Sequence, residues 1–358
     1  MRLISLDVLR GLTVAGMILV NSAAGMKYGA EADVAPILLH VSWDGLTLAD
    51  LVFPGFLTMV GIAIPFSLRP GGDPQTARIL TRAGRLLLLG FLLSNLYWFQ
   101  SFASGEWRLF GVLQRIGLVY AACALLFLAT GPKVRMGLIV AILALYWPLA
   151  LLPSLDGPAT DIWVRGHNFV ASIDRVLLST RLYVQGAAGY DPEGILGTLP
   201  AIAQGLIGVA IGELLIRRQG AATKQLAMAG AAMLAVGGAW SLAFPIVKDI
   251  WSSSFVLVTS GVTVLALAAL HHLLDREGRK PGIAATAMLA FGANAIAAYT
   301  LHQVTAGMVT WDLFLVPFRA TREALGDPVA SLIPVLFYML FIWAAMEWLR
   351  RKRWFIKI

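Results

Sequence analysis

The stretch "LHVSWDGLTLADLVFPGF", residues 39–56, sets His40, Trp43, Asp44 and Asp50 against a long apolar run. An imidazole beside water is a natural base for drawing a proton from an amine or hydroxyl nucleophile. Other groups able to do chemistry are scattered through apolar sequence. They are Asp7 and Arg10 in "SLDVLRG", Asn21, Gln114 and Arg115 in "FGVLQRIG", Asp191 and Glu193 in "GYDPEGILGT", the serines of "SSSF", and Asn294, Tyr299 and His302. Charged groups at membrane depth are costly unless they meet a partner or a cavity, so each is a functional candidate. An amide N–H such as that of Asn21 can stabilise the oxyanion formed when a nucleophile attacks an ester or thioester carbonyl. A base, an amide donor and deeper cations together suit acyl transfer.

Each group also has a structural alternative. Asp7 and Arg10 stand at helical i,i+3 spacing and can simply pair. Asp191 and Glu193 are either ligands or helix caps, with Pro192 in a first helical turn. Ser252, Ser253 and Ser254 either line a path or satisfy backbone groups. His271 and His272, followed by Asp275 and Arg276, read as interface residues. Arg115 has no acid nearby in sequence and calls for an anion, from another span or from a ligand phosphate. The single cysteine, Cys123, excludes disulfides and cysteine metal sites. No histidine pair has zinc-site spacing, and neither GxxxxGK nor GxSxG occurs, so the sequence implies no metal site.

The elements that must hold these groups are membrane helices. Of 358 residues, 58% are hydrophobic and 13% charged, too few charges to clothe a soluble domain of this size. The mean hydropathy is +0.77. The sequence predicts an all-α polytopic membrane protein with about ten transmembrane helices, near 7–25, 47–68, 84–101, 109–130, 134–153, 192–216, 225–246, 251–274, 284–308 and 329–349. Alternate connecting segments hold 18 of the 28 Lys and Arg, including Arg2, Arg279 and Lys357, while the opposite set holds eight. The positive-inside rule then places both termini in the cytoplasm. This basic face accounts for the net charge of +8, so no nucleic-acid partner is implied. Asp7 and Arg10 interrupt the first apolar run, which argues against a cleaved signal peptide.

With that orientation His40 lies outside, in loop 26–46, before the second span. The other long outer loop, 154–191, contains "FVASIDRVLLSTRLY", where Phe169, Ile173, Val176 and Leu177 suggest a surface helix. The two loops are expected to wall one external site. A secondary transporter would use the same buried charges, but the repeated halves usual in transporters are not visible. Abundant glycine within the spans suits close helix packing and leaves a homodimer open.

The segments "RLISLDVLRG", "HVSWDGLTLADLVFPGF", "GVLQRIGLVY", "SIDRVLL", "GYDPEGILGTL", "GANAIAAYTLHQV" and "KRWFIKI" run in order along essentially the whole chain. Together they resemble the heparan-α-glucosaminide N-acetyltransferase family, within the transmembrane acyltransferase superfamily. The resemblance implies a single integral-membrane acyltransferase domain over 1–358 that moves acetyl from cytosolic acetyl-CoA to a glucosamine amine across the bilayer. It makes His40 the catalytic base or acetyl carrier and sets Asn21 beside the acetyl group. The coenzyme nucleotide cannot cross, so its pantetheine arm would be threaded through the bundle. Arg10 and Arg115 would then receive the phosphates, with Gln114, Ser254, Asn294 and Tyr299 as polar lining. Trp43 would turn the chain into the second span and Asp50 anchor that turn. These two, with Asp191, Glu193 and His302, are expected toward the acceptor, His302 being alternatively structural. Acetyl-CoA enters as donor substrate, and the resemblance implies no metal. Residue usage looks bacterial, which points to the inner membrane, a periplasmic outer side and a small amino sugar as acceptor. Asp44 stands where the animal members have asparagine.

Overall fold

In hydrocarbon every backbone N–H and C=O must bond within its own segment, so long apolar runs fold as helices. The computed structural model describes residues 3–71, 75–96, 102–105, 107–157, 159–218, 221–277 and 280–356. Residues 97–101 of the third expected span lie outside these, as do Arg2, Arg279 and Lys357. The principal helices are α1 (Ile4–Gly29), α2 (Leu48–Ser67), α3 (Thr76–Ser94), α4 (Val112–Ala129), α5 (Pro132–Ala150) and α6 (Phe169–Leu178). They continue with α7 (Thr198–Arg218), α8 (Thr223–Trp240), α9 (Ser253–Leu270), α10 (Ile283–Ala293), α11 (Ala295–Thr305), α12 (Asp312–Leu325) and α13 (Leu332–Arg351). Among the described residues β-pairing is confined to isolated bridges, Asp44 with Val247 and Val184 with Tyr190.

Among the described residues seven stretches are long and apolar enough to cross a bilayer, and the bent pair α10–α11 makes an eighth if it is one span. This is fewer than the expected ten. Where the other two spans were expected the chain is helical but less apolar. The first half of α3 carries Arg78, Arg82 and Arg85, and α8 opens on Thr223, Lys224 and Gln225. The sixth expected span starts later than its apolar run, at Thr198. Asp174 draws the N–H groups of Asp191 and Ile195 into a turn there, at 3.4 and 3.0 Å, so Pro192 does not sit in a first helical turn. The ninth is not continuous: α10 and α11 meet at Asn294 with a bend of 81°. The expected surface helix exists as α6, capped by Asn168, whose side chain accepts from Ala171 N–H at 2.8 Å. Its buried face is Val170, Ala171, Asp174 and Leu178, whereas Val176 and Leu177 are exposed.

The described chain forms two compact units. One joins the residues before Ser42 and Leu46–Phe56 to the chain from Ala269 onward; the other comprises Ser42–Gly45 and Leu57–Ala268. In the first unit α1 lies hard against α10, so that a Cβ at Gly11 would strike the Met288 carbonyl and one at Gly292 the Asp7 carbonyl. Small residues replace hydrophobic collapse as the means of holding helices together in lipid. Ile18, Met26, Leu38, Phe291 and Tyr338 belong to its buried core. In the second unit α2 and α7 approach as closely, a Cβ at Gly208 meeting the Thr58 carbonyl. Buried at this contact, the Gln204 amide donates to Thr58, Thr259 and Ser260 at 3.1–3.3 Å and accepts from Trp251 Nε1 at 2.9 Å. A satisfied polar knot of this kind fixes a unique helix register, because any slip strands the amide.

Candidate functional site

His40 follows a short 3₁₀ turn, Pro36–Leu38, and precedes the start of α2. The sequence "TLAD" makes that start a capping box: Thr47 precedes the first helical residue, and Asp50 reaches back to Thr47 N–H at 3.1 Å. The same carboxylate oxygen, Oδ2, lies 2.9 Å from Thr47 Oγ1 and 3.4 Å from Val41 N. Its other oxygen, Oδ1, faces His40 Nδ1 at 2.7 Å. Asp50 is 1% exposed, while the His40 side chain is 43% exposed. An ionised carboxylate only accepts, so Nδ1 of His40 carries the hydrogen and Nε2 keeps its lone pair for a proton acceptor's task. This is how a buried aspartate orients a catalytic imidazole in hydrolytic triads. Sequence reasoning placed Asp50 at the turn and toward the acceptor; the structure adds the bond to His40.

The same unit holds Asn21, partly buried on α1, and the pair Arg10–Asp7 at 3.3 Å. Arg10 also donates to the Gly292 carbonyl at 3.4 Å, next to the break between α10 and α11. At that break Asn294 is 1% exposed; its Oδ1 accepts from Ile356 N–H at 2.9 Å while its Nδ2 has no hydrogen-bond partner among the described residues. Tyr299 accepts from Gln303 at 3.2 Å. His302 is 1% exposed and bonds the Tyr338 hydroxyl at 3.2 Å, which makes it part of the unit's core.

The other sequence-predicted residues fall in the second unit. Trp43 is 7% exposed, donates to the Ile162 carbonyl at 2.9 Å and packs edge-on against Tyr190. Asp191 and Glu193 are not caps of α7. Arg108 grips Asp191 through Nε at 2.9 Å and Nη2 at 2.7 Å, and also bonds Glu193. Burial pulls the Arg108 guanidinium pKa down, but Glu193 and Asp191 more than offset this and hold it above its ordinary value. Burial opposes ionisation of Glu193 too, and Arg108 with Arg115 overcomes it, holding that carboxyl below its ordinary range. Arg108 escaped the sequence reading because nothing local links residue 108 to 191.

Arg115 is fully buried and donates to the Gly194 carbonyl at 3.2 Å. Its guanidinium lies 4.9 Å from the Trp251 ring centroid, and its Nε and Nη1 lack hydrogen-bond partners among the described residues. It stands in the first turn of α4, near the charges of Glu193 and Asp191. Gln114 donates to the Leu109 carbonyl at 3.2 Å, and Ser254 donates to the Pro245 carbonyl at 2.9 Å. Sequence reasoning also missed the network of Arg165, Tyr190 and Asp249, in which Arg165 donates to the Tyr190 hydroxyl and Tyr190 to Asp249. His271, expected at an interface, is fully buried; His272 pairs with Glu277 at 3.1 Å.

These features define a multi-pass helical membrane protein with an accessible histidine oriented by a buried aspartate. The family model described as "Heparan-alpha-glucosaminide N-acetyltransferase, catalytic" matches residues 2–250, a span that contains His40 and Asp50. The chain belongs to this family. It is similar to the Homo sapiens heparan-alpha-glucosaminide N-acetyltransferase, at 27% identity over 389 residues, covering 92% of this chain and 57% of that protein. Its similarity to the Mus musculus protein of the same name is 28% over 403 residues, covering 95% of this chain and 59% of that one. The chain thus spans less than three-fifths of the length of these relatives.

Proposed function

We propose that the protein is a transmembrane acetyltransferase that moves acetyl from acetyl-CoA to the amine of a glucosamine-type sugar. The observation that carries this reading is the 2.7 Å pair of His40 and Asp50 inside the matched family segment. In the step envisaged, the acceptor nitrogen attacks the thioester carbonyl carbon and His40 Nε2 takes the nitrogen's proton. The carbonyl oxygen gathers negative charge, for which Asn21 is the candidate donor. The C–S bond then breaks, the imidazolium returns its proton to the thiolate, and free CoA and the N-acetylated sugar leave. Asp50 is a positioning residue: it holds the ring and its tautomer and offsets the imidazolium charge. An acetyl-histidine intermediate would use the same Nε2 as nucleophile. Donor contacts fall most naturally to Arg10, Asn294 and Tyr299, which share a unit with His40. With both termini cytoplasmic, Arg10 would lie at the inner end of α1 and meet a cytoplasmic nucleotide, and a bacterial inner membrane is the proposed location.

The broken pair α10–α11 is also the kind of element in which secondary transporters build substrate sites. Purified protein supplied with acetyl-CoA and glucosamine separates the readings. Stoichiometric release of free thiol with N-acetylglucosamine supports the enzyme. Uptake of labelled sugar into vesicles without thiol release selects the transporter.

A further inference from the structure

The unit that holds His40 contains a second feature that the transfer chemistry does not use. A cleft of about 720 Å³ opens at the C-terminal end of α1, lined by Glu31, Trp311, Asp312, Phe318, Arg319 and Arg322 among others. That volume lies within the range of small-ligand sites. Its walls are held firmly: α1 meets the 3₁₀ segment Ala306–Thr310 so closely that a Cβ at Gly29 would lie 2.9 Å from Thr310 Cγ2. Phe318 and Leu315 are buried beneath it, whereas Trp311 is 57% exposed at its edge.

The charges of the cleft are unequal in their engagements. Arg319 pairs with Asp312 at 2.8 Å, and Arg322 takes both oxygens of Asp327 at 3.0–3.1 Å. Asp327 in turn accepts from Asp33 N–H at 3.2 Å, tying the segment after α1 to the cleft wall. Arg319 is answered by Asp312 within the lining and Arg322 by Asp327 outside it, so these five groups together are one negative charge in excess, that of Glu31. Glu31 also occupies a position the backbone would rather give to glycine. Just past the end of α1, the N–H groups of Ala30 and Ala32 both bond the Met26 carbonyl, and Glu31 between them has φ 52°. Left-handed backbone at a helix end is the ordinary place for glycine, and side chains held there against strain mark clamps and ligand sites.

We infer that this cleft is a loading site for a cationic amino sugar, with the Glu31 carboxylate taking the ammonium and the exposed Trp311 ring taking a sugar face. An aromatic face attracts a cation and a carboxylate pairs with it, a combination that favours a protonated amine over a neutral sugar. The identity of the ligand rests on the proposed acetyl acceptor; the cleft's preference for a cation rests on Glu31 and Trp311 alone.

The test is equilibrium binding to the full chain in nanodiscs, by calorimetry, with glucosamine, N-acetylglucosamine and glucose as probes. Glucosamine is expected to bind with an affinity that falls about tenfold or more in Glu31→Gln, the scale of a lost charge-assisted contact, and that also falls in Trp311→Ala. N-acetylglucosamine should bind more weakly and ignore Glu31→Gln. Glu31→Gly is expected to raise Tm while losing the preference for the amine, which separates ligand binding from folding. Equal glucosamine affinity in the wild type and Glu31→Gln overturns the inference, as does equal binding of all three sugars. Glu31-dependent binding in a protein that never releases thiol would sustain the cleft and sink the acetyltransferase reading. Thiol release with a KM indifferent to Glu31→Gln and Trp311→Ala would do the reverse.

Discussion

Replacing Asp50 by asparagine changes one atom and should cost more activity than removing the side chain. Asp50 Oδ2 lies within 2.9–3.4 Å of Thr47 N, Thr47 Oγ1 and Val41 N, two of them backbone N–H donors, so the amide oxygen of an asparagine must take that place. The amide nitrogen is then driven into the Oδ1 position, 2.7 Å from His40 Nδ1. An N–H there cannot accept, so Nδ1 gives up its hydrogen and Nε2 acquires it. The neutral ring then has no lone pair facing the acceptor. The corresponding swap in serine-protease triads lowers kcat about 10⁴-fold, and loss of a general base costs ~10²-fold or more. We expect Asp50→Asn to lower kcat by about 10²- to 10⁴-fold, or ~3–5 kcal/mol in barrier, with acetyl-CoA affinity little changed. Asp50→Ala frees the ring to choose either tautomer and should be the milder variant in kcat, although it weakens the start of α2. The assay is thiol release under saturating acetyl-CoA and acceptor, with Tm as the folding control. Asp50→Asn retaining more than about a tenth of the wild-type kcat would refute the reasoning. A raised KM at unchanged kcat would make Asp50 a substrate contact instead.

Arg108→Ala leaves Asp191 and Glu193 buried without their common partner, which should destabilise the segments they join by about 3–5 kcal/mol; adding Asp191→Asn and Glu193→Gln should recover much of the lost Tm. Asp174, on α6, has its carboxyl pushed up to about 7 by burial, with Asp191 adding to the effect. The folded protein therefore keeps a proton that an unfolded aspartate, at ~3.9, has released. Its stabilising contribution is complete below about pH 4 and is lost as pH rises through about 7, amounting to at most about 4 kcal/mol. Tm measured from pH 5 to 8 should accordingly fall less steeply in Asp174→Asn than in the wild type, and parallel slopes would contradict the assignment. Arg10→Ala should weaken acetyl-CoA binding about tenfold to a hundredfold while sparing acetyl-pantetheine, which lacks the nucleotide phosphates; equal weakening of both would give Arg10 a structural role and no phosphate contact.

Much of the fold was legible because helix length and hydropathy are local properties. The runs at 47–68, 109–130 and 134–153 correspond to Leu48–Ser67, Val112–Ala129 and Pro132–Ala150. Departures arose where a distant group overrides the run. The break at Asn294 lies in unremarkable apolar sequence, "MLAFGANAIAAY", and the packing of Gly292 on Asp7 joins residues 285 positions apart in the chain. Likewise Asp191 and Glu193 look like helix caps until Arg108 is brought to them. At the candidate site, His40 was visible from its company of Trp43 and Asp50, and the Asp7–Arg10 pair from its spacing. The carboxylate that orients His40 was visible only as the anchor of a turn. The signal that could have found its second role is the capping box "TLAD": one oxygen bonds Thr47, and the other faces the ring ten residues earlier.

The most direct test of the central claim is the turnover of His40→Ala beside its binding of acetyl-CoA. Single-turnover thiol release should fall by about 10²-fold or more, while acetyl-CoA binds with near wild-type affinity and Tm is preserved, because His40 is exposed and its loss leaves Asp50 bonded to Thr47. Acetyl transfer to glucosamine persisting in His40→Ala above about a tenth of the wild-type rate would contradict the account.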